Sequence, residues 1–204
     1  MKKLSRASPV ITWGRQSFVP VLISLLLGAI YLLGSDIQEL LIYRRSAVEQ
    51  GETWRLVTAH LVHKNDMHLL FNIIGFIVVH LCWLVAGVSP IRAVLLLLFT
   101  ILNTSLLVHY WITDIQGFMG LSAILHGNWL IAAWLLWQRF RLEASLLAGL
   151  LLLKLLIEQI VGQMPYSDLF GSLRVEEDGH LYGALGGVAT ILIWQTWQYL
   201  EVEN

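Results

Sequence analysis

Apolar residues gather in six long runs, and most polar residues fall between them. A helix that crosses a membrane needs about 20 mostly apolar residues, and six runs, at about 18–34, 67–87, 91–111, 117–137, 144–162 and 180–200, fit that length. The pattern predicts an all-α integral membrane protein with six transmembrane helices, organised as one domain over 1–204. The connections are short, apart from a first outer loop at 35–66 and a last outer loop at 163–179. The first apolar run could be a signal peptide, but no small-x-small cleavage site follows it, so it is taken as a retained span.

Composition supports the membrane reading. The chain is 57% hydrophobic and 13% charged, whereas soluble domains carry about 25% charged residues. A net charge of -1 offers no basic face to a polyanion, so the expected surroundings are lipid bilayer and no nucleic acid. Lys2, Lys3, Arg6, Arg15, Arg92, Arg139 and Arg141 face Arg44, Arg45, Arg55, Lys64 and Arg174 across the expected membrane. This bias places both termini in the cytoplasm. The first outer loop mixes apolar, aromatic and basic residues, as in Leu40 to Tyr43 and Trp54 to Val57, which suits the headgroup interface. Cys82 stands alone in an apolar run and is given no role.

Polar groups inside spans are costly and tend to be functional. Here they converge. His68 and Asn72 open the second span, Ser122 lies near the start of the fourth and His180 opens the sixth. With the N-terminus inside, all of them lie at one shallow depth below the outer face. Serine becomes a nucleophile when a neighbouring base takes its proton, and neutral histidine is the usual base. Ser122 and His180 supply that pair. His68 and Asn72, one turn apart, can aim at one developing oxyanion, joined by the Ser122 backbone N–H at the positive end of a helix dipole. No Asp or Glu lies within the fourth or sixth span, so a Ser–His dyad is expected and not a triad. Small residues at four-residue spacing, Gly179, Gly183 and Gly187 against Ala123 and Gly127, would let these spans approach closely.

The run from Trp54 to Asn72 (WRLVTAHLVHKNDMHLLFN), then GLSA from Gly120 and GHLYGALGG from Gly179, resembles rhomboid proteases in content, order and spacing. The resemblance implies a rhomboid-like bundle with Ser122 as nucleophile and His180 as its partner. It implies an oxyanion group of His68 and Asn72, and Gly120 and the Ser122 backbone are counted with them. Trp54 and Arg55 look like the paired residues of the family's interfacial first loop. Ala123, Gly179 and His126 depart from the common glycine, alanine and tyrosine. His126 lies one turn below Ser122, where it could stack on His180 or compete as a base. TAHLVH followed by HLLFN, and GLSAILHG, resemble the rhombosortases, a bacterial subfamily. That likeness implies membrane-anchored protein substrates with a C-terminal tail made of a Gly-Gly motif, one apolar span and a basic end. It also implies a bacterial inner membrane, with the site opening to the periplasm.

Other classes stay open on the residues alone. A small transporter would line a path with polar groups, and an inactive rhomboid-like protein would bind helices without cutting them. No cofactor is expected, and no metal, since His60, His63 and His68 lack a metal-binding pattern; the first two suit interfacial hydrogen bonding. Lys154 and Glu158 pair at i, i+4 in the fifth span and are taken as structural or snorkelling. His80 and His109 are taken as packing or interfacial residues.

Overall fold

The computed structural model describes residues 18–162 and 175–203. The expected charges at Lys2, Lys3, Arg6, Arg15 and Arg174 lie outside these residues, as does most of the last outer loop. Helix α1 (Phe18–Leu32) meets α2 (Ser35–Leu41) at a 119° bend. Gly34 is the hinge, with φ at +86° that a side chain would resist. Strand β1 (Tyr43–Arg44), α3 (Arg45–Glu49), α4 (Arg55–Thr58) and a 3₁₀ turn (Ala59–Leu61) complete the first loop. Then come α5 (Asp66–Val85), α6 (Pro90–Trp111), β2 (Gly117–Phe118), α7 (Ser122–Leu136), α8 (Arg141–Val161) and α9 (Val175–Glu203).

Among the described residues, α5, α6 and α8 are long and apolar enough to cross a membrane, or four spans if α1 and α2 count as one. The six expected spans therefore divide. α1 and α7 have 15 residues each. The run at 117–137 is not one helix, because Gly120, at φ +111°, and the strand at Gly117 break it before Ser122. α9 has 29 residues and starts five before His180, but its glycines, Thr190 and Gln195 dilute its apolar character. Large apolar side chains such as Leu150, Leu152, Leu153, Leu156 and Ile160 on α8 point outward, as lipid contact requires.

Local signals set the helix starts. Asn65 caps α5, its side chain accepting from the His68 N–H at 2.8 Å. Ser89 caps α6 ahead of Pro90 at the first helical position. The core runs from Val79, Trp83, Leu96, Ile131 and Trp194 at one end, through Phe76, Leu97 and Ile124, to Tyr43, Val108 and Ile115 under the first loop. Side-chain hydrogen bonds tie neighbouring helices together: Trp129 Nε1 donates to the Leu147 carbonyl at 2.9 Å and Asn103 Nδ2 to Thr190 Oγ1 at 3.1 Å.

The closest approach is between α7 and α9. A Cβ on Gly187 would lie 2.6 Å from Gly127 Cα and its carbonyl oxygen, and one on Gly127 would lie 2.5 Å from the Gly183 carbonyl oxygen. A Cβ on Gly183 would collide with the Ala123 carbonyl. The expected glycine ridge is thus a backbone-to-backbone contact, and it sets His180 one turn from Gly183 on the same helix face. Gly183→Ala and Gly187→Ala should each destabilise the protein by about 1–3 kcal/mol through overpacking. Gly149→Ala, where a Cβ meets nothing within 4 Å, should instead hold or raise stability through helix propensity. Thermal midpoints of the detergent-solubilised variants check the contrast.

Candidate active site

The first loop pins the turn that carries Ser122. β1 and β2 pair antiparallel, Tyr43 opposite Phe118, with the two rings stacked at 4.6 Å. Arg45 donates to the carbonyls of His109 (2.7 Å), Ile112 (2.8 Å) and Ile115 (3.1 Å), capping the C-terminal end of α6 with a cation. Arg55, 6% exposed, reaches Glu52 Oε2 at 2.6 Å and the carbonyls of Glu39 and Ile42. Trp54 beside it is exposed. The loop is thus a packed platform: Leu40 and Trp54 face outward while Tyr43, His60 and His63 are fully buried.

Gly120 is held from two sides. Its N–H donates to the Ala59 carbonyl at 2.9 Å, and its carbonyl accepts from His60 Nδ1 at 3.3 Å. His60 Nε2 lies 2.9 Å from Ser105 Oγ, which also contacts the Leu56 carbonyl. The Gly120 carbonyl only accepts, so a neutral ring carries its proton on Nδ1, and Ser105 Oγ has one proton to divide between His60 Nε2 and the Leu56 carbonyl. This revises Gly120 as an oxyanion donor, because its N–H is already engaged. Its part is to make room: at φ +111° a Cβ would lie 2.6 Å from His68 Cε1 and Nε2 and 3.8 Å from Asn72 Nδ2. His68 and Asn72 are therefore brought together against the turn that precedes Ser122. The Asn72 amide nitrogen is buried and has no hydrogen-bond partner, as does His68 Nδ1. Unsatisfied buried donors are costly, and beside a serine they suit an oxyanion that forms only during reaction.

Ser122 is the first residue of α7 and is half-buried. With Phe118, Met119, Gly120, Ala123 and Gly179 it lines a cavity of about 30 Å³. Gly179 precedes His180, so the cavity joins the starts of α7 and α9. His180 stacks on His126, ring centroids 4.1 Å apart and planes at 20°. The aromatic position is thus filled by an imidazole. His126 Nδ1 donates to the Ser122 carbonyl at 2.7 Å, and Lys154 Nζ donates to His126 Nε2 at 2.9 Å. Both nitrogens are engaged, which leaves His126 no lone pair with which to act as a competing base.

The expectation that no acid reaches His180 does not hold. Glu158 on α8, 4% exposed, places Oε1 3.1 Å and Oε2 3.2 Å from His180 Nδ1. Lys154 Nζ bonds Glu158 Oε1 at 2.5 Å while its side chain stays partly exposed, so the i, i+4 pair forms as the spacing suggested. Sequence reasoning missed this because it sought the acid only on the two catalytic spans. His126, Glu158 and His180 offer donor atoms within 4.8 Å of one another, a possible metal set among the described residues. The Lys154 ammonium touches all three, at 2.9, 2.5 and 3.5 Å, and supplies the positive charge there. His80 packs between Phe76 and Trp83, and His109 Nδ1 bonds the Tyr43 hydroxyl at 2.8 Å.

Long apolar helices packed through a glycine ridge, with buried polar groups gathered near the start of α7, define a helical membrane protein. A rhomboid domain matches residues 50–196, and the chain belongs to the rhomboid family of intramembrane serine proteases. No curated protein matches the chain.

Burial pushes the His60 imidazole down to about 4, and burial followed by the neighbouring His68 pushes His63 down to about 3. Their unfolded value is about 6.5. Folded stability should then be level above about pH 6.5 and fall as pH drops towards 4, since unfolding frees imidazoles that take up protons. Thermal midpoints against pH in detergent check this, and His63→Gln should make the fall shallower.

Proposed function

We propose that this protein is a six-span intramembrane serine endopeptidase of the rhombosortase type. In this reading the whole chain is a single domain with both termini in the cytoplasm of a bacterium. Ser122 and His180 open to the periplasmic side of the inner membrane. The observation that carries the reading is the meeting of His68 and Asn72 at Gly120, directly before Ser122 at the start of α7. His180 takes the Ser122 hydroxyl proton as the oxygen attacks the scissile carbonyl, and returns it to the leaving amine. His68, Asn72 and the Ser122 N–H stabilise the oxyanion. Water then releases the acyl-enzyme by the same steps.

The substrate is an exported protein anchored by a C-terminal Gly-Gly tail, one apolar span and a basic end. Three features support this. A cavity of about 30 Å³ beside Ser122 suits residues without side chains. Glycine weakens a helix by about 1 kcal/mol relative to alanine, so the junction unwinds at low cost. A basic end holds the tail inside by the positive-inside rule.

Purified protein in detergent should react with a fluorophosphonate probe, and Ser122→Ala should abolish labelling. Labelling that survives Ser122→Ala, or is absent from the wild type, would overturn the protease reading in favour of a transporter or an inactive binder. A deletion strain should accumulate exported proteins with uncleaved Gly-Gly tails, and Leu-Leu in place of that pair should block processing in the wild type. Intact-mass measurement reads both, and identical C-termini in the two strains would reject the sorting role while leaving a general rhomboid protease.

A further inference from the structure

Glu158 contacts the catalytic histidine through both carboxylate oxygens, at a depth where an acid is expensive. We propose that Glu158 is a positioning residue that extends the Ser122–His180 pair into a Ser–His–Glu triad, with Lys154 as its counter-ion. The proposal rests on the protease reading of Ser122 and His180.

The chemistry of the donors decides the tautomer. A carboxylate only accepts hydrogen bonds and an ammonium only donates them. His180 Nδ1 lies 3.1 and 3.2 Å from the two Glu158 oxygens and 3.5 Å from Lys154 Nζ. The shorter pair of contacts requires a proton on Nδ1, and a neutral ring with that proton keeps its lone pair on Nε2. Nε2 is then the nitrogen that takes the serine proton. The same carboxylate faces the positive imidazolium that results, which it stabilises without itself becoming protonated.

Lys154 keeps the acid in place. Its ammonium is shared between Glu158 Oε1 and His126 Nε2, so it has less to offer His180. His126 in turn donates to the Ser122 carbonyl and stacks on the His180 ring. Glu158 therefore sets the direction of His180 while His126 sets its plane. The titratable groups around His180 come from three helices: His68 on α5, His126 on α7, and Lys154 and Glu158 on α8. Among these described residues, Glu158 supplies the carboxylate.

A purely structural ion pair makes a different forecast. Breaking a buried pair from either side strands the other charge, so Lys154→Met would then harm the protein at least as much as Glu158→Gln. In the triad, Glu158→Gln is the worse change. Lys154 claims the amide oxygen and turns the NH₂ towards Nδ1, which moves the ring proton to Nε2.

The test is the time course of fluorophosphonate labelling of full-length protein in detergent, which separates the maximal rate, kinact, from probe affinity, KI. Glu158→Gln should lower kinact by ~10²–10⁴, the range up to that for reversing a triad tautomer, with KI within about twofold. Glu158→Asp should recover at least about tenfold of that loss. Lys154→Met should retain more kinact than Glu158→Gln. Thermal midpoints are measured in parallel. Wild-type kinact in folded Glu158→Gln would overturn the triad while leaving the protease reading intact. Equal losses in all three variants that follow their midpoints would also overturn it, by making the pair structural. A wild type that does not label at Ser122 removes both readings together.

Discussion

Helices α7 and α9 meet backbone to backbone at Gly127, Gly183 and Gly187, and the place of His180 relative to the start of α7 follows from that contact. A single β-carbon on this ridge would push α9 outward, carrying His180 away from the start of α7. Lipid gives no hydrophobic drive for helices to associate, so close van der Waals contact between small residues must supply it. The ridge is reinforced on its far side, where Gly186 packs on Thr104 of α6 and Thr190 accepts from Asn103. α9 is thus wedged between α6 and α7, which is why it carries more glycine and polar residues than a lipid-facing helix would.

A second constraint acts from the side. The first loop buries Arg55, His60 and His63, and Arg55 and His60 fix backbone carbonyls. Through His60 and the Ala59 carbonyl it grips Gly120 by both its polar groups. The turn before Ser122 is therefore set by a loop about sixty residues earlier in the sequence, and His68 and Asn72 of α5 are set against it by the glycine's left-handed backbone. A neutral buried imidazole such as His60 can do this because it offers a ring N–H to a carbonyl with no charge to solvate.

Much of this was legible in the sequence, and what was not has a physical reason. Apolar run length located α5, α6 and α8, the helices long and apolar enough to cross a membrane, and the polar residues Ser122, His68, Asn72 and His180 stood out because each is costly in an apolar run. The start of α7 was misjudged by five residues, since Gly117, Phe118 and Met119 are apolar enough to pass for helix while the left-handed Gly120 ends it. Arg45 looked like an orienting surface charge, yet it caps α6, a contact that depends on how the loop folds back. Glu158 was set aside because hydropathy gives depth along one helix and not which helices are neighbours. The carboxylate became relevant only when α8 was seen beside α9. The i, i+4 spacing of Lys154 and Glu158 was readable, but not the two histidines they face.

α7 is short, and its length has a consequence for the lipid around it. Fifteen residues make a helix of about 22 Å, while the hydrocarbon layer is about 30 Å thick. A helix that reaches one boundary of that layer stops well short of the other, and Ser122 is its first residue. The shortfall is a hydrophobic mismatch, which a bilayer relieves by thinning locally or by admitting water beside the helix end. The depth at which the serine meets water is thus set jointly by the protein and by the thickness of its membrane.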